Sequence, residues 1–119
     1  MASITIQAAG GAGSCSACVL EPKAKPAGVA VLIQEIFGVN QAMRDTAAWV
    51  ADLGFIAVCP DLFWRIERGI DFSDKTDAER KRAFELFQAF ARVKGIHWDG
   101  RSEAIANGRS VQALAAALA

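Results

Sequence analysis

Two short apolar runs rich in β-branched residues, Val29-Ala30-Val31-Leu32-Ile33 and Phe55-Ile56-Ala57-Val58-Cys59, stand on either side of one amphipathic segment. That arrangement narrows the choice of fold more than any other part of the chain. Each run is short, apolar and β-branched and reads as a buried strand. Between them, Met43, Ala47, Val50 and Ala51 recur near helical spacing, Asn40 is placed to cap the helix start, and Gly54 follows Leu53 where a left-handed C-terminal cap belongs. Residues 29 to 59 therefore read as strand, helix, strand, a right-handed βαβ unit with parallel strands.

The first run ends in Gln34-Glu35-Ile36-Phe37-Gly38-Val39-Asn40. In open α/β sheets, ligands gather at the carboxyl ends of the strands, and a carboxylate placed there is costly to desolvate unless something uses it. Glu35 is thus a candidate for chemistry and is expected to be partly desolvated. The alternative is that it ends the strand and points to water.

Upstream lie two weaker strands, Ile4 to Gln7 and Ser14 to Leu20, joined by Ala8-Ala9-Gly10-Gly11-Ala12-Gly13. The glycines suit a hairpin turn. They do not form a phosphate loop, since no Lys-Ser/Thr pair ends them and no helical pattern follows. Glu21 to Gly28 is a polar connection punctuated by Pro22 and Pro26, too short to separate domains.

After Pro60 the periodicity lapses until Thr76-Asp77-Ala78-Glu79, a capping-box pattern that predicts a helix to about Val93. At 100° per residue, Ala83, Phe84, Leu86, Phe87, Phe90, Ala91 and Val93 share one face, and Arg80 falls inside that apolar arc. Its guanidinium can snorkel to water from the first turn, or it can hold a small organic acid bidentately between apolar walls.

Thirteen acidic residues balance thirteen basic ones, and the two signs are interspersed. No basic stripe suits nucleic acid, no apolar run is long enough to span a bilayer, and the N-terminal residues lack the pattern of a signal peptide. Three cysteines, an odd number, argue for reduced thiols and a cytoplasmic setting. Cys15-Ser16-Ala17-Cys18 has the spacing of a redox pair. Its two thiols would nevertheless face opposite sides of a strand, and Cys59 reads as core.

Together, Gln34 to Asn40, Arg44, Gly54 to Phe63, and the Arg80 helix with Ala83-Phe84 resemble the dienelactone hydrolase family of α/β-hydrolases over about residues 1 to 95. The resemblance implies the N-terminal part of an α/β-hydrolase sheet: a β-hairpin, then βαβ, then helices, incomplete. It further implies hydrolysis of an ester or lactone, typically an enol-lactone bearing a carboxylate, by a cysteine nucleophile assisted by Asp and His, with no cofactor and no metal. Glu35 would contact and activate the thiol. The Ile36 N–H would supply half of an oxyanion hole, Arg80 would clamp the substrate carboxylate, and Phe37 would wall the pocket. Phe84 stands where relatives often carry Tyr.

The nucleophile elbow of the family, Gly-x-Cys-x-Gly-Gly, occurs nowhere in the 119 residues, and none of the three cysteines takes its place. The one histidine, His97, precedes the point where that elbow would begin and reads as a loop residue beside Trp98. From about Ile96 the likeness fades into a divergent tail, residues 96–119, with a helix expected over Ser110 to Leu118, as in an interrupted gene product. The chain alone is expected to be inactive.

Without the following strand, residues 29–33 would form an exposed sheet edge, open to self-association or to a downstream hydrolase segment. Two other roles fit the same residues: a non-catalytic module that binds small carboxylates through Arg80, and an interaction subunit that completes another chain's sheet.

Overall fold

The computed structural model describes residues 1–94. His97 and the helix expected over Ser110 to Leu118 fall outside the described residues. The strands β1 (Ala2–Gln7), β2 (Ser14–Leu20), β3 (Gly28–Val31) and β4 (Phe55–Pro60), with the helices α1 (Gln41–Asp52) and α2 (Asp77–Lys94), follow in the expected order. The sheet order is β1-β2-β4-β3, with β1 and β2 antiparallel, β2 and β4 antiparallel, and β3 and β4 parallel. β3 is two residues shorter at its end than the apolar run. The Leu32 N–H still donates to Val58 O at 2.8 Å, so pairing outlasts the regular strand geometry.

Local chemistry explains the elements. In the hairpin, the Ala8 N–H donates to Gly13 O at 2.8 Å. Asn40 caps α1 by accepting from the Met43 N–H at 3.2 Å, and Gly54 leaves the helix at φ +98°, where a Cβ would be strained. The four periodic residues of α1, Met43, Ala47, Val50 and Ala51, are all buried. Met43, Ala47 and Val50 pack on Ala57 and Cys59 of β4, with Cys18, Leu20, Ala30 and Leu32 around them.

One face of the sheet is thereby covered. Strand alternation sends Val29, Val31 and Ile33 to the other face, where they are 63%, 51% and 41% exposed.

The capping box at α2 forms in a modified way. The Glu79 N–H donates to Thr76 Oγ1 at 3.2 Å, while the Glu79 carboxylate accepts from the Ser73 N–H and hydroxyl at 2.7 and 2.8 Å. These bonds, with that from the Thr76 hydroxyl, hold the Glu79 carboxyl below its ordinary pKa.

The apolar arc of α2 is only partly covered. Ala83, Leu86, Phe90 and Ala91 are buried, whereas Phe84 is 56% exposed. Around the helix Phe84 lies only about 20° from buried Ala91, so its exposure reflects its place along the axis and not the 3.6-residue period. This face packs on Leu62, Phe63, Ile70 and Phe72 from the irregular segment after β4, with Phe63 and Phe90 edge to face at 5.8 Å. Asp61 organises that segment: buried, it accepts from the Phe63 N–H at 3.1 Å and the Gly69 N–H at 3.0 Å.

Candidate active site

The loop at the carboxyl end of β3, residues 34–39, is held from two sides. Gln34 crosses to the end of β4, where its Oε1 accepts from the Leu62 N–H at 2.9 Å. On the far side the chain returns at residues 70–72, and the Phe72 N–H donates to Phe37 O at 2.9 Å. Asn40, already the cap of α1, donates through Nδ2 to Phe72 O at 2.9 Å. Arg44 reaches from the first turn of α1 to Val39 O at 3.0 Å and to Asp71 at 2.9 Å.

Gly38 lies at the centre of this clamp, buried at φ +81° and bridged to Asp71. A Cβ there would lie 2.1 Å from Ile70 O.

The clamp leaves Ile36 free to donate. Among the described residues its N–H makes no hydrogen bond, while its neighbours are anchored. Ile36 and Phe37 are half-buried. An N–H held in this way can donate to an acceptor brought from outside the described residues.

The expected desolvation of Glu35 is corrected by the structure, because its side chain is exposed. β3 has a neighbour on one side only among the described residues, and no element there covers the strand end. The Glu35 carboxylate makes no hydrogen bond or ion pair among the described residues. Arg80 is also exposed, and its guanidinium is paired with Asp77 and with Asp74 O. No hydrogen bond or ion pair joins Arg80 to residues 34–39 among the described residues.

The three thiols are all biased against thiolate formation. Burial pushes Cys59 up to about 11, with the adjacent Cys18 adding to the effect. Burial also raises Cys15, helped by the charge of Asp61, and raises Cys18. A strong nucleophile needs the opposite environment. At pH 8 about 0.1% of Cys59 is ionised. We expect iodoacetamide to leave Cys59 unmodified in the folded chain and to modify it once the chain is denatured, as read by mass spectrometry. Rapid alkylation of native Cys59 would contradict this environment.

Comparison with known proteins places this loop and sheet in context. Residues 15–112 match the dienelactone hydrolase family. The chain belongs to that family. Over 87 residues it is 52% identical to a protein of Azospirillum brasilense named "Putative carboxymethylenebutenolidase", covering 72% of this chain and 38% of the relative. It is 44% identical over 80 residues to the carboxymethylenebutenolidase of Pseudomonas putida, covering 67% of this chain and 34% of that protein. A solved structure titled m3DLH aligns over 99% of this chain and 43% of its own length, with a TM-score of 0.50 and 22% identity, a likeness of fold. This dienelactone hydrolase family chain therefore spans less than two fifths of the curated relatives named here. It carries a partial α/β-hydrolase sheet, and among its described residues no helix is long and apolar enough to cross a membrane.

Sequence reasoning located the loop but missed its clamp. Gly38, Asp71 and Phe72 act through partners 27 to 35 positions away, and Asp61 reaches Gly69, eight away, in segments without periodicity. The only local signal was a glycine in a loop otherwise suited to L-residues.

Proposed function

We propose that this chain is the N-terminal portion of a carboxylic ester or lactone hydrolase of the carboxymethylenebutenolidase type, acting on a small carboxylate-bearing ester or lactone. The remaining portion of the domain would supply a cysteine nucleophile with its Asp and His. The observation that carries this reading is the clamped loop at the end of β3, which presents an unengaged Ile36 N–H beside an unpaired Glu35 carboxylate.

In the assembled site the Ile36 N–H receives charge from the substrate carbonyl as the thiolate adds to it. Glu35 accepts the thiol proton, a task that needs a carboxylate with no competing partner and gains strength once the rest of the domain excludes water. Phe37 forms part of the wall. Arg80 holds the substrate carboxylate by exchanging it for Asp77. That exchange is inexpensive, since the Asp77 side chain is 97% exposed and a surface pair contributes about 0–1 kcal/mol. On its own the chain has no thiol suited to attack, and it does not turn over substrate.

The missing portion docks on the outer edge of β3. The Leu32 N–H points to β4, so the backbone groups of Val31 and Ile33 point away from it and are available to another strand. The reduced thiols fit a cytoplasmic setting.

The roles of Glu35 and Arg80 are separable by kinetics in a complex of this chain with a downstream half carrying the Cys elbow, Asp and His. Glu35→Gln is expected to lower kcat by about 10² to 10⁴ through loss of proton transfer. Arg80→Ala is expected to raise KM by about 10- to 100-fold, the loss of one charged hydrogen-bonded contact, with a smaller effect on kcat. Equal kinetics for wild type and both variants would refute the assigned roles.

A further inference from the structure

Cys18 and Cys59 stand directly opposite each other on β2 and β4. Their pairing type follows from the ladder. The Asp61 N–H donates to Ser16 O at 2.9 Å, which makes 16 and 61 a hydrogen-bonded pair. Antiparallel pairs alternate, so Ala17 and Pro60 form a non-hydrogen-bonded pair, where proline's missing N–H costs nothing, and Cys18 and Cys59 form the next hydrogen-bonded one.

Side chains of such a pair leave the same face with Cβ atoms near the wide end of the range for opposed residues, about 5.5 Å. An unstrained disulfide needs about 3.5–4.5 Å. The pair is too wide for a direct sulfur–sulfur bond. It is well spaced for one ion between the sulfurs, since two metal–sulfur bonds of about 2.3 Å span up to about 4.6 Å.

The surroundings suit a soft ion. Cys59 lies in the buried cluster of α1 and β4, and Cys18 packs against it. Both cysteines line a cavity of about 360 Å³ that residues 69–71 also line. The carboxylates on its wall are already engaged, Asp61 by the Phe63 and Gly69 N–H groups and Asp71 by Arg44. Thiolate donors select Cu(I) over the harder divalent ions, and no group of three or more His, Cys, Asp or Glu among the described residues forms a conventional site.

We propose that Cys18 and Cys59 form a two-thiolate site for a soft monovalent cation, Cu(I). Binding replaces two thiol protons: Cu⁺ and two R–SH give [Cu(SR)₂]⁻ and two H⁺, with no change in oxidation state. The positive charge of Arg44 favours the Cys18 thiolate, in opposition to the larger effect of burial. The site is independent of the hydrolytic reading, because it uses none of the residues assigned there.

The test is an anaerobic titration of the full chain with Cu(I) against a chromogenic chelator, following the ultraviolet thiolate-to-copper absorption. One Cu(I) per chain is expected. Cys18→Ser and Cys59→Ser should each weaken binding at least about 100-fold, beyond the effect usual for changes outside the ligand set. Cys15→Ser, on the opposite face of β2, should bind as wild type does. If circular dichroism shows that Cys59→Ser does not fold, wild-type alkylation decides: Cu(I) should shield Cys18 from maleimide and leave Cys15 reactive. Loss of all Cu(I) to the chelator, binding that survives Cys18→Ser, or equal alkylation of Cys18 with and without Cu(I) would overturn the proposal.

Discussion

Replacing Gly38 with alanine is expected to destabilise the chain by about 2 to 6 kcal/mol, enough to unfold a small domain. Two independent costs combine. The residue sits at φ +81°, where a Cβ adds about 1–3 kcal/mol of backbone strain, and that Cβ would lie 2.1 Å from the Ile70 carbonyl oxygen. Backbone cannot rotate aside as a side chain would, so relief requires residues 70–72 to move, at a cost typical of overpacking, about 1–3 kcal/mol. Movement would also break the Phe72 to Phe37 and Asn40 to Phe72 hydrogen bonds that fix the Ile36 N–H. Urea denaturation followed by circular dichroism would show a lowered midpoint or no transition. An unchanged midpoint would mean that the loop is not clamped as described.

The second large effect concerns the open edge. Val29 and Val31 of β3 and Ile33 just after it are exposed apolar side chains, β3 is an edge strand among the described residues, and no lysine or proline protects it between Gly28 and Ile33. Parallel strands are ordinarily covered on both faces. The isolated chain is therefore expected to form dimers or larger species as its concentration rises. A Val31→Lys, Ile33→Lys double variant should shift it toward monomer, because charges at these positions oppose burial of the strand. Light scattering after size exclusion reads both forms directly. A wild-type chain that stays monomeric at high concentration would remove the basis for this edge as a docking surface, and with it the proposed position of the missing portion.

Legibility in the sequence followed the range of the interactions. The buried face of α1, its Asn40 cap, the exit at Gly54 and the hairpin at residues 8–13 are set by contacts a few positions apart, and the spacing of residues exposed them. Thr76 and Glu79 were read as a capping box for the same reason, although the Glu79 carboxylate reaches Ser73. Exposure of Glu35 was not legible, because it depends on what lies beside β3 and not on the residues flanking it. Phe84 illustrates the limit of helical periodicity: hydrophobicity placed it in the apolar arc, and the position of the segment containing Leu62 and Ile70 decided which part of that arc was covered. The Gly38 to Ile70 contact, the Asp61 hub and the Cys18 to Cys59 pairing arise from tertiary pairing between distant segments, which leaves little local pattern.

Hydrolysis of a dienelactone and of a simple activated ester, by this chain alone and by its mixture with a downstream half carrying the Cys elbow, Asp and His, tests the central claim most directly. The account predicts no turnover by either part alone and turnover by the mixture, in proportion to the complex formed. Turnover by this chain alone, or a tight complex that remains inactive, would contradict it.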